Sequence, residues 1–489
     1  MVELITQWNG VLNGLVWGPM LGLPLLFIAG LVMTICTKGF QFTKIALWME
    51  KTLGAVFTNK HVTAHTDKND KAISQFQSMC TALSATLGTG NIVGVATAVA
   101  VGGPGAVFWM WIMAILGMMT NFSENVLGIY YRRKNAGGEW SGGAMYYLKD
   151  GLGKVKGCAG IGTFLAGLFA VFCALAAFGI GNMSQVQSIA SNMENAFSVP
   201  PLACGIVLMV LAGLVILGGI KRIASVTEKI VPFMALIYIV GALIIIVMNI
   251  SHVPAAFAAI FQGAFGLSSV AGGAIGVAIT QGFKRGAFSN EAGLGSSVMV
   301  HSSSNVKEPV QQGMWGIFEV FMDTIVVCTL TALVVLTGGM YDLTTGEVVG
   351  ETGSIVANSF GAVFGTFGTQ FIAIAILLFA FSTVLGWSHY GAKAFEYLFG
   401  SKSTMAYKAV FVLFVLVGSA LPLSLAIDIS DTLNGLMMIP NLIGVLALSG
   451  TVAKITKNYL DRKVNGQDVD ALYSAFEEYN VAEDVSVEA

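Results

Sequence analysis

Residues 84–94 read Ser-Ala-Thr-Leu-Gly-Thr-Gly-Asn-Ile-Val-Gly, and they lie inside an apolar run over 79–100. A second mixed stretch, Gly-Gly-Ala-Ile-Gly-Val-Ala-Ile-Thr-Gln-Gly-Phe, occupies residues 272–283. Each combines glycine with Thr, Asn or Gln where a membrane helix is usually uniformly apolar. Glycine-interrupted helices at matching places in two halves of a chain indicate a transporter site. The unwound backbone frees carbonyls for a cation and N–H groups for a carboxylate.

The composition places these stretches in a lipid bilayer. The chain has 489 residues, of which 55% are hydrophobic and 11% charged, and its formal net charge is -2. Soluble globular chains carry roughly 25% charged residues, so a soluble enzyme of this size is excluded. The lack of a basic domain excludes nucleic-acid binding. The predicted fold class is all-α, a polytopic helical membrane protein.

Eleven apolar runs are long enough to cross a bilayer, which takes roughly 20 residues per helix. They cover 15–35, 79–100, 105–131, 160–190, 202–220, 229–248, 258–283, 310–338, 357–390, 407–423 and 432–453. All 25 Lys and Arg then fall in alternate connecting segments, namely 36–78, 132–157, 221–229, 284–307, 393–408 and 454–463. Basic residues collect on the cytoplasmic side. This predicts a plasma (inner) membrane protein with its N-terminus outside and its C-terminus in the cytoplasm.

The eleven spans divide into one helix and two sets of five. Residues 1–78 hold the outer N-terminus, the extra first helix and a basic cytoplasmic loop. Residues 79–248 and 258–453 hold five spans each, and because five is odd the two sets run in opposite directions, as in an inverted repeat. Residues 454–489 form an acidic cytoplasmic tail, read as solvated. The short segment 139–151 is predicted to be an interfacial helix.

Four blocks of sequence, in order, resemble the alanine or glycine:cation symporter family. They are SATLGTGNIVGVATAVAVGGPGAVFWMW (84–111), EWSGGAMYYL (139–148), FGIGNMSQVQSIA (178–190) and FKRGAFSNEAGLGS (283–296). The resemblance covers nearly the whole chain. It implies the APC superfamily, a LeuT-like five-plus-five inverted repeat preceded by one extra helix, and a broken first helix in each half. It also implies Na⁺-coupled uptake, or H⁺-coupled uptake in some members, of alanine, glycine or similar small amino acids.

The resemblance places the substrate carboxylate at the first break, Gly88-Thr89-Gly90. Backbone N–H groups and the Thr89 hydroxyl would bind it there. Gln185 lies on the third core helix, which faces this break in the family fold. Its amide offers both a donor and an acceptor, so it suits either end of an amino acid; a helix-bridging role is the alternative.

The ammonium group is expected at the second break, at Thr280, Gln281 and Gly282, whose carbonyls would accept it. A pocket for a small side chain needs bulky walls, and Phe178 and Trp387 are the candidates. Lone aromatic residues in membrane helices also serve as packing or interfacial residues, so both readings stay open at these two positions.

The co-transported cation is expected on hard oxygen ligands. By analogy with the shared sodium site of the fold, the ligands would be the carbonyls near Ser84 and Leu87, the hydroxyls of Ser382 and Thr383, and the Phe379 carbonyl. Membrane hydroxyls also bond their own helix backbone, which is the alternative. A second sodium position would use Thr86, Asn91 and Thr280.

Three carboxylates lie inside predicted spans: Glu124, Glu319 and Asp323. Charge at mid-membrane costs roughly 2.5–3.5 kcal/mol on insertion scales, so such residues are functional candidates by default. Glu319 and Asp323 are four apart on one helix face. They are candidates for coupling to a cation or proton; the alternative is a structural role at helix breaks.

The sequence favours a secondary symporter over other classes. A phosphate-binding loop of the form GxxxxGK[ST] is absent, which argues against an ATP-driven pump. A membrane-embedded enzyme needs a catalytic cluster, and only the Glu319 and Asp323 pair comes close. The intramembrane carboxylates keep a proton-coupled symporter open, and a channel is the remaining rival. No catalytic residue, organic cofactor or protein partner is predicted.

Overall fold

The computed structural model describes residues 2–67, 70–155, 157–266, 272–343, 345–350, 352–420 and 424–480. The α-helices are α1 (Val2–Val16), α2 (Gly22–Cys36), α3 (Phe40–Thr43), α4 (Ile45–Met49), α5 (Ala55–Thr58), α6 (Lys60–Thr63), α7 (Gln75–Thr86), α8 (Val95–Gly102), α9 (Gly105–Tyr130), α10 (Ala144–Asp150), α11 (Ala159–Phe178), α12 (Ser184–Phe197), α13 (Pro201–Ile216), α14 (Ile220–Met248), α15 (Val253–Phe265), α16 (Gly272–Asn290), α17 (Val298–His301), α18 (Pro309–Val320), α19 (Thr329–Thr337), α20 (Ile355–Phe364), α21 (Thr366–Phe399), α22 (Thr404–Ala420), α23 (Ser424–Ala447) and α24 (Ser449–Lys463). π-Helical turns cover Glu50–Gly54, Gly90–Gly94, Gly179–Met183 and Phe321–Cys328. An antiparallel hairpin joins β1 (Arg133–Lys134) to β2 (Trp140–Ser141).

Several of these helices are long and apolar enough to cross a membrane. Within the described residues seven pass this test, namely Gly105–Tyr130, Ala159–Phe197, Ile220–Met248, Pro309–Thr337, Thr366–Phe399, Ser401–Ala420 and Leu425–Ala447. The bent pair Gln75–Thr86 and Gly90–Gly102 makes an eighth if it is one span. Side chains of α14 such as Leu236, Val240 and Val247 remain exposed on its outer face, as expected for contact with lipid. The prediction of a multi-pass helical membrane protein is confirmed.

Three predicted spans are each divided between two helices. The run 15–35 is divided, because α1 ends at Val16 and α2 begins at Gly22. The run 258–283 is also divided, since α15 ends at Phe265 and α16 runs from Gly272 to Asn290. The run 357–390 is divided as well, since α20 ends at Phe364 and α21 begins at Thr366. Apolar runs do not show where a chain turns, which explains these three errors. Residues 267–271 and 421–423 of the predicted spans, and 481–489 of the tail, lie outside the described residues.

Helix α9 is at the centre of the fold and packs against α2, α15, α16 and α18. Glycine makes the close approaches possible: a Cβ on Gly105 would lie 2.3 Å from the carbonyl carbon of Gly263 in α15. A Cβ on Gly30 of α2 would lie 2.6 Å from the Leu116 Cβ of α9. Small residues let helix backbones pack closely in membranes, and this accounts for part of the 59 glycines in the chain.

The predicted inner end of the molecule is closed by polar contacts. Arg132, just after α9, donates to the carbonyls of Ser302 (3.0 Å), Ser304 (2.6 Å) and Val306. Burial lowers the pKa of Arg132 to about 9, and the Asp70 carboxylate opposes this shift, so the guanidinium is charged at neutral pH. Arg132 therefore holds the segment that follows α17 against α9.

The segments around this inner end differ from their predicted form. In 139–151 the chain forms strand β2 and then helix α10, rather than one interfacial helix. The C-terminal tail is not fully solvated, because the Ala475 N–H donates to the Tyr130 carbonyl at 2.9 Å and the Tyr479 ring lies 5.2 Å from that of Trp140. The tail therefore folds back onto the end of α9.

Candidate functional site

The first helix break lies where glycine and threonine predict it. Helix α7 begins with a capping box between Ser74 and Gln77 and ends at Thr86. The helix that resumes at Gly90 is bent by 50° from α7. Two side chains hold the unwound backbone: the Gly88 N–H donates to Asn91 Oδ1 at 2.9 Å and the Thr89 N–H to Gln185 Oε1 at 3.3 Å. A broken, buried backbone at membrane depth needs such partners.

Five oxygen atoms converge beside this break. The Thr383 hydroxyl lies 3.0 Å from the Ser84 carbonyl oxygen, 3.4 Å from that of Leu87 and 3.0 Å from that of Phe379. The Ser382 hydroxyl lies 2.9 Å from the Phe379 carbonyl and 3.4 Å from that of Ser84. All five residues are buried. The structure thus brings together the complete predicted main sodium set, three carbonyls from two helix segments and two hydroxyls, which are the hard ligands that such a cation prefers.

Glycine is required at this position of the break. A Cβ on Gly88 would lie 2.6 Å from the Thr383 hydroxyl oxygen and 3.3 Å from Gln185 Oε1. Gly88 therefore lies between the oxygen cluster and the Gln185 amide. Gln185 is itself fixed, because its Nε2 donates to the Ile180 carbonyl at 3.0 Å.

A cavity of about 460 Å³ leads from the break toward the N-terminal helix. Thr89 and Gly90 of the break line it together with Ile180 and Phe288. Further residues of the lining are Thr6, Asn9, Asn13, Lys284, Arg285, Asp428 and Asp431. The volume exceeds that of a small amino acid, so the cavity can hold one beside Thr89.

Contacts at the mouth of this cavity contradict part of the predicted membrane topology. Lys284 and Arg285 lie within α16, and the Lys284 Nζ is 3.0 Å from Asp431 Oδ2 and 3.2 Å from Asn13 Oδ1. Asn13 and Asp431 belong to segments predicted outside, whereas 284–307 was predicted inside. The assignment of these two basic residues to the inner segment is wrong, because an acidic partner holds Lys284 within the fold.

A second polar cluster supports the outer half of the broken helix. Asn91 Nδ2 donates to Asp323 Oδ1 at 2.6 Å. The other carboxylate oxygen accepts from the hydroxyls of Ser289 (2.8 Å) and Thr324 (2.7 Å). Asp323 lies in the π-helical turn Phe321–Cys328, so it links the first break, the end of α16 and the α18–α19 span. All three donors to the Asp323 carboxylate are neutral, which indicates that Asp323 holds these three segments in position.

The remaining predicted carboxylates are also buried and bonded. Glu319 accepts from His301 Nε2 at 3.1 Å and Asn121 Nδ2 at 3.4 Å. Glu124 Oε1 accepts from Asn441 Nδ2 at 2.5 Å. Glu319 and Asp323 therefore bind different partners, although they are four residues apart.

The predicted second break is displaced. Helix α16 continues through Thr280, Gln281 and Gly282 to Asn290. A Cβ on Gly282 would lie 2.5 Å from the Trp109 Cβ, so this glycine serves close helix packing. The helix is interrupted instead over 291–297, and it resumes with α17 at Val298. The prediction of a break at 280–282 is wrong.

The displaced break also changes the predicted second sodium set. Thr280 lines an apolar cavity with Pro19, which precedes α2, and with Leu23 and Phe27 of α2. The Thr86 hydroxyl donates to the Leu83 carbonyl at 3.3 Å. Asn91 binds Gly88 and Asp323. The structure does not bring Thr86, Asn91 and Thr280 together.

The two predicted wall residues have other neighbours. Phe178 packs among aromatic rings, with its centroid 5.1 Å from Tyr407 and 4.9 Å from Phe414, and it does not line the cavity at Thr89. Trp387 is buried against Gly181, whose added Cβ would lie 2.3 Å from the Trp387 Cβ. Phe288 is the aromatic residue beside the break, 3.4 Å from the position of a Cβ on Gly90.

Sequence reasoning missed Glu291, which begins the true second break. Its backbone has φ 56°, and its buried carboxylate accepts from the Ser296 hydroxyl at 2.6 Å and from Trp387. Gly293 and Gly295 follow with φ of 91° and 73°, which glycine adopts without strain. A charged residue next to two closely spaced glycines was the available signal.

Comparison with known proteins identifies the family of the chain. The profile of the sodium:alanine symporter family matches residues 2–472. The chain belongs to the sodium:alanine symporter family.

Several relatives in this family align with almost the whole chain. A sodium/alanine symporter, AgcS, from Methanococcus maripaludis is 44% identical over 470 residues, covering 95% of this chain and 99% of that protein. A probable sodium/glutamine symporter, GlnT, from Bacillus subtilis is 36% identical, covering 96% and 93%. The sodium:alanine symporter family consists of transporters, so this chain is a transporter and not an enzyme. The membership supports sodium-coupled amino-acid symport.

Solved structures show the same fold at low identity. A manganese transporter from Eremococcus coleocola superposes with a TM-score of 0.51 at 13% identity, covering 87% of this chain and 86% of that one. At this identity the likeness concerns the fold alone, and the helical transporter architecture extends beyond the sodium:alanine symporter family.

Proposed function

We propose that this protein takes up a small neutral amino acid together with Na⁺ by alternating access. Alanine and glycine are the first candidates, with serine and D-alanine next. The observation that carries the proposal is the convergence of three carbonyls and two hydroxyls around Thr383. This cluster lies directly beside a broken helix whose residue Thr89 lines a cavity. One cation and one solute can therefore bind on the two sides of Gly88.

The amino acid would bind between two helix ends. The helix that resumes at Gly90 presents its N-terminus, the positive end of the helix dipole, to the substrate carboxylate, and the Thr89 hydroxyl adds a donor. The end of α16 faces it, since a Cβ on Gly90 would lie 3.5 Å from the Ser289 Cα. Carbonyls at this C-terminus are the negative end of a dipole and suit the ammonium group, in place of those predicted at 280–282.

Sodium would link α7 and the first helix break to α21. Its ligands come from α7 and the break on one side and from α21 on the other. Binding replaces the hydroxyl-to-carbonyl hydrogen bonds with cation–oxygen contacts and holds α7 against α21. A ligand shifts a conformational equilibrium only by its differential affinity for the two states, so sodium would stabilise the state in which these helices touch.

The proposed architecture is a LeuT-like fold of eleven membrane spans, in which two sets of five helices form an inverted repeat. The broken pair α7 and α8 begins the first set, and α16 with α17, broken over 291–297, begins the second. Breaks at corresponding places in two repeats support this assignment. The proposed orientation keeps the C-terminus in the cytoplasm, because 23 of the 25 basic residues still lie in the predicted inner segments once Lys284 and Arg285 are subtracted.

Uptake into proteoliposomes tests this function. Purified protein should accumulate labelled alanine or glycine when an inward Na⁺ gradient is imposed, and accumulation should stop when K⁺ replaces Na⁺ at fixed pH. The membrane potential adds about 2.3 kcal/mol per charge per 100 mV, so an inside-negative potential should raise the accumulation. Equal uptake in K⁺ would rule out sodium coupling, and downhill flux without saturation would favour a channel.

A further inference from the structure

The segment 38–63, between α2 and α7, carries an apolar stripe that the sodium and amino-acid sites leave unused. The exposed members of this stripe are Phe42, Ile45, Leu53 and Phe57. The other face of the segment is fixed on the protein, because the buried Trp48 ring lies 5.9 Å from that of Phe321 and Thr52 is fully buried. The segment therefore presents large apolar side chains outward from a face that is anchored to α18 and its π-helical turn.

The helical geometry keeps this stripe on one side. Helices α4 and α5 join through the π-helical turn Glu50–Gly54. Residues four apart drift around an α-helix, since a turn takes about 3.6 residues, and the wider π-helical turn offsets the drift. Ile45, Leu53 and Phe57 are separated by multiples of four residues, and all three are exposed, Phe57 by 81%. The stripe is therefore continuous along the helix.

The stripe also continues the outer face of α2. Leu31 and Ile35, in the second half of α2, are exposed, and Ile35 is 66% exposed. Lys38 and Gly39 follow with φ of 57° and 62°, and this turn leads directly into α3. Apolar side chains on a helix that lies in the membrane interface are buried among the acyl chains of the lipid. The surface from Leu31 to Phe57 is typical of such contact.

The segment carries a local excess of positive charge. It contains four lysines, at 38, 44, 51 and 60, and a single acid, Glu50. Lys51 lies 3.3 Å from the Glu50 carboxylate. Within the described residues, the other three lysines form no ion pair. Lysine stems can lie along apolar surface while the ammonium groups reach a polar layer, so these three cations are available to an external anion.

Helix α1, at the predicted outer side, provides a contrast. It exposes large apolar side chains such as Leu4, Trp8 and Val11. Residues 2–16 contain Glu3 and no Lys or Arg, so this apolar surface has no cations beside it. The cytoplasmic leaflet is the one that carries anionic lipids. Cations thus accompany the exposed apolar surface at the predicted inner side and are missing from the one at the predicted outer side.

We propose that the segment 38–63 binds anionic phospholipids at the predicted inner face of the membrane. The apolar stripe lies among the acyl chains, and the ammonium groups of Lys38, Lys44 and Lys60 contact the headgroup phosphates. The partner is a lipid rather than a free phosphate, because the stripe next to the lysines requires an apolar ligand. Each lysine near an anionic lipid surface contributes about a fivefold factor in affinity.

Lipid binding to the purified full-length protein tests this inference independently of transport. Native mass spectrometry in detergent measures how phosphatidylglycerol and phosphatidylcholine bind as each is titrated. Wild-type protein should prefer phosphatidylglycerol, and the triple variant Lys38→Gln, Lys44→Gln, Lys60→Gln should lose about tenfold or more of that preference. The matched control, Lys402→Gln, Lys454→Gln, Lys457→Gln, removes three exposed lysines at the same predicted face and should keep it.

A second variant tests the apolar stripe. Leu53→Gln with Phe57→Gln changes only exposed positions, and it should weaken the binding of both lipids. Equal wild-type affinity for the two lipids, or equal losses in the two triple variants, would overturn the proposal. Glycerol 3-phosphate that competes as well as phosphatidylglycerol would also overturn it, since a headgroup alone would then suffice. A protein dimer that Phe57→Gln dissociates would show that a second copy covers the stripe, and would equally contradict the proposal.

Discussion

The hydroxyl of Thr383 lies 3.0 Å from the carbonyl oxygen of Ser84, a residue 299 positions earlier in the chain. This contact joins α21 to α7 at the turn before the helix break. It brings a side-chain oxygen of one helix next to a backbone oxygen of the other, and we propose that sodium binds between them.

Replacing Thr383 by Val should weaken sodium binding selectively. The change keeps the shape and removes one oxygen ligand, and hydrogen bonds or contacts to charged groups contribute about 1.5–3 kcal/mol, so Na⁺ affinity should fall about ten- to hundredfold. Titration of sodium-dependent alanine binding measures it. Thr337→Val is the matched control, since that hydroxyl bonds its own helix at Leu333; an equal loss in the control would show a general effect of removing hydroxyls.

Replacing Gln185 by Leu should weaken amino-acid binding. Leucine can neither hold the Thr89 N–H in place nor offer an amide to the bound amino acid, and the loss of two hydrogen bonds costs about 1–3 kcal/mol. We expect the alanine affinity to fall about five- to hundredfold while sodium binding alone changes less. Isothermal titration in saturating Na⁺ checks this. Gln187→Leu, on the same helix but only partly buried, should retain wild-type affinity.

Replacing Gly88 by Ala should distort both sites. The added methyl would lie 2.6 Å from the Thr383 hydroxyl, and overpacking of this kind typically costs about 1–3 kcal/mol. Thermal unfolding in detergent and sodium affinity should both decrease. Gly167→Ala adds a methyl with nothing within 4 Å and should leave both unchanged. A Gly88 variant with normal sodium affinity would mean that the break opens more widely than in this structure.

The Lys284 and Asp431 pair at the cavity mouth should show energetic coupling. Each side chain is only 18% exposed, so removing one partner leaves a partly buried charge. Lys284→Met and Asp431→Asn should each lower thermal stability, and the double variant should lose less than the sum, with a coupling of about 0.5–3 kcal/mol. Additive losses would show that the two residues act independently and that the mouth is not held by this pair.

The first break is predicted correctly because the types of residue that it requires can be identified in the sequence. Gly88, Thr89 and Asn91 combine backbone freedom with polar side chains, and these residues are needed wherever a membrane helix unwinds. The sodium set followed from the fold that the resemblance implied, and contacts between Ser84 and Thr383 across 299 positions have no local signature.

The second break shows where sequence reasoning stops. Gly282 packs tightly under Trp109, whereas Gly293 and Gly295 adopt positive φ, and composition does not distinguish these two uses of glycine. The assignment of Lys284 to the inner side is wrong for a related reason. Counting basic residues in connecting segments does not show that Lys284 Nζ lies 3.0 Å from Asp431 Oδ2. Packing and pairing across distant segments decided both positions.

The most direct test of the central claim is alanine binding to purified protein in Na⁺ and in K⁺, compared between wild type and Thr383→Val. We expect that wild-type protein binds alanine tightly only in Na⁺, and that Thr383→Val requires much more Na⁺ to bind it. Alanine affinity that is equal in Na⁺ and K⁺, or a variant with unchanged sodium dependence, would contradict the claim that a cation at Thr383 prepares the broken helix for its substrate.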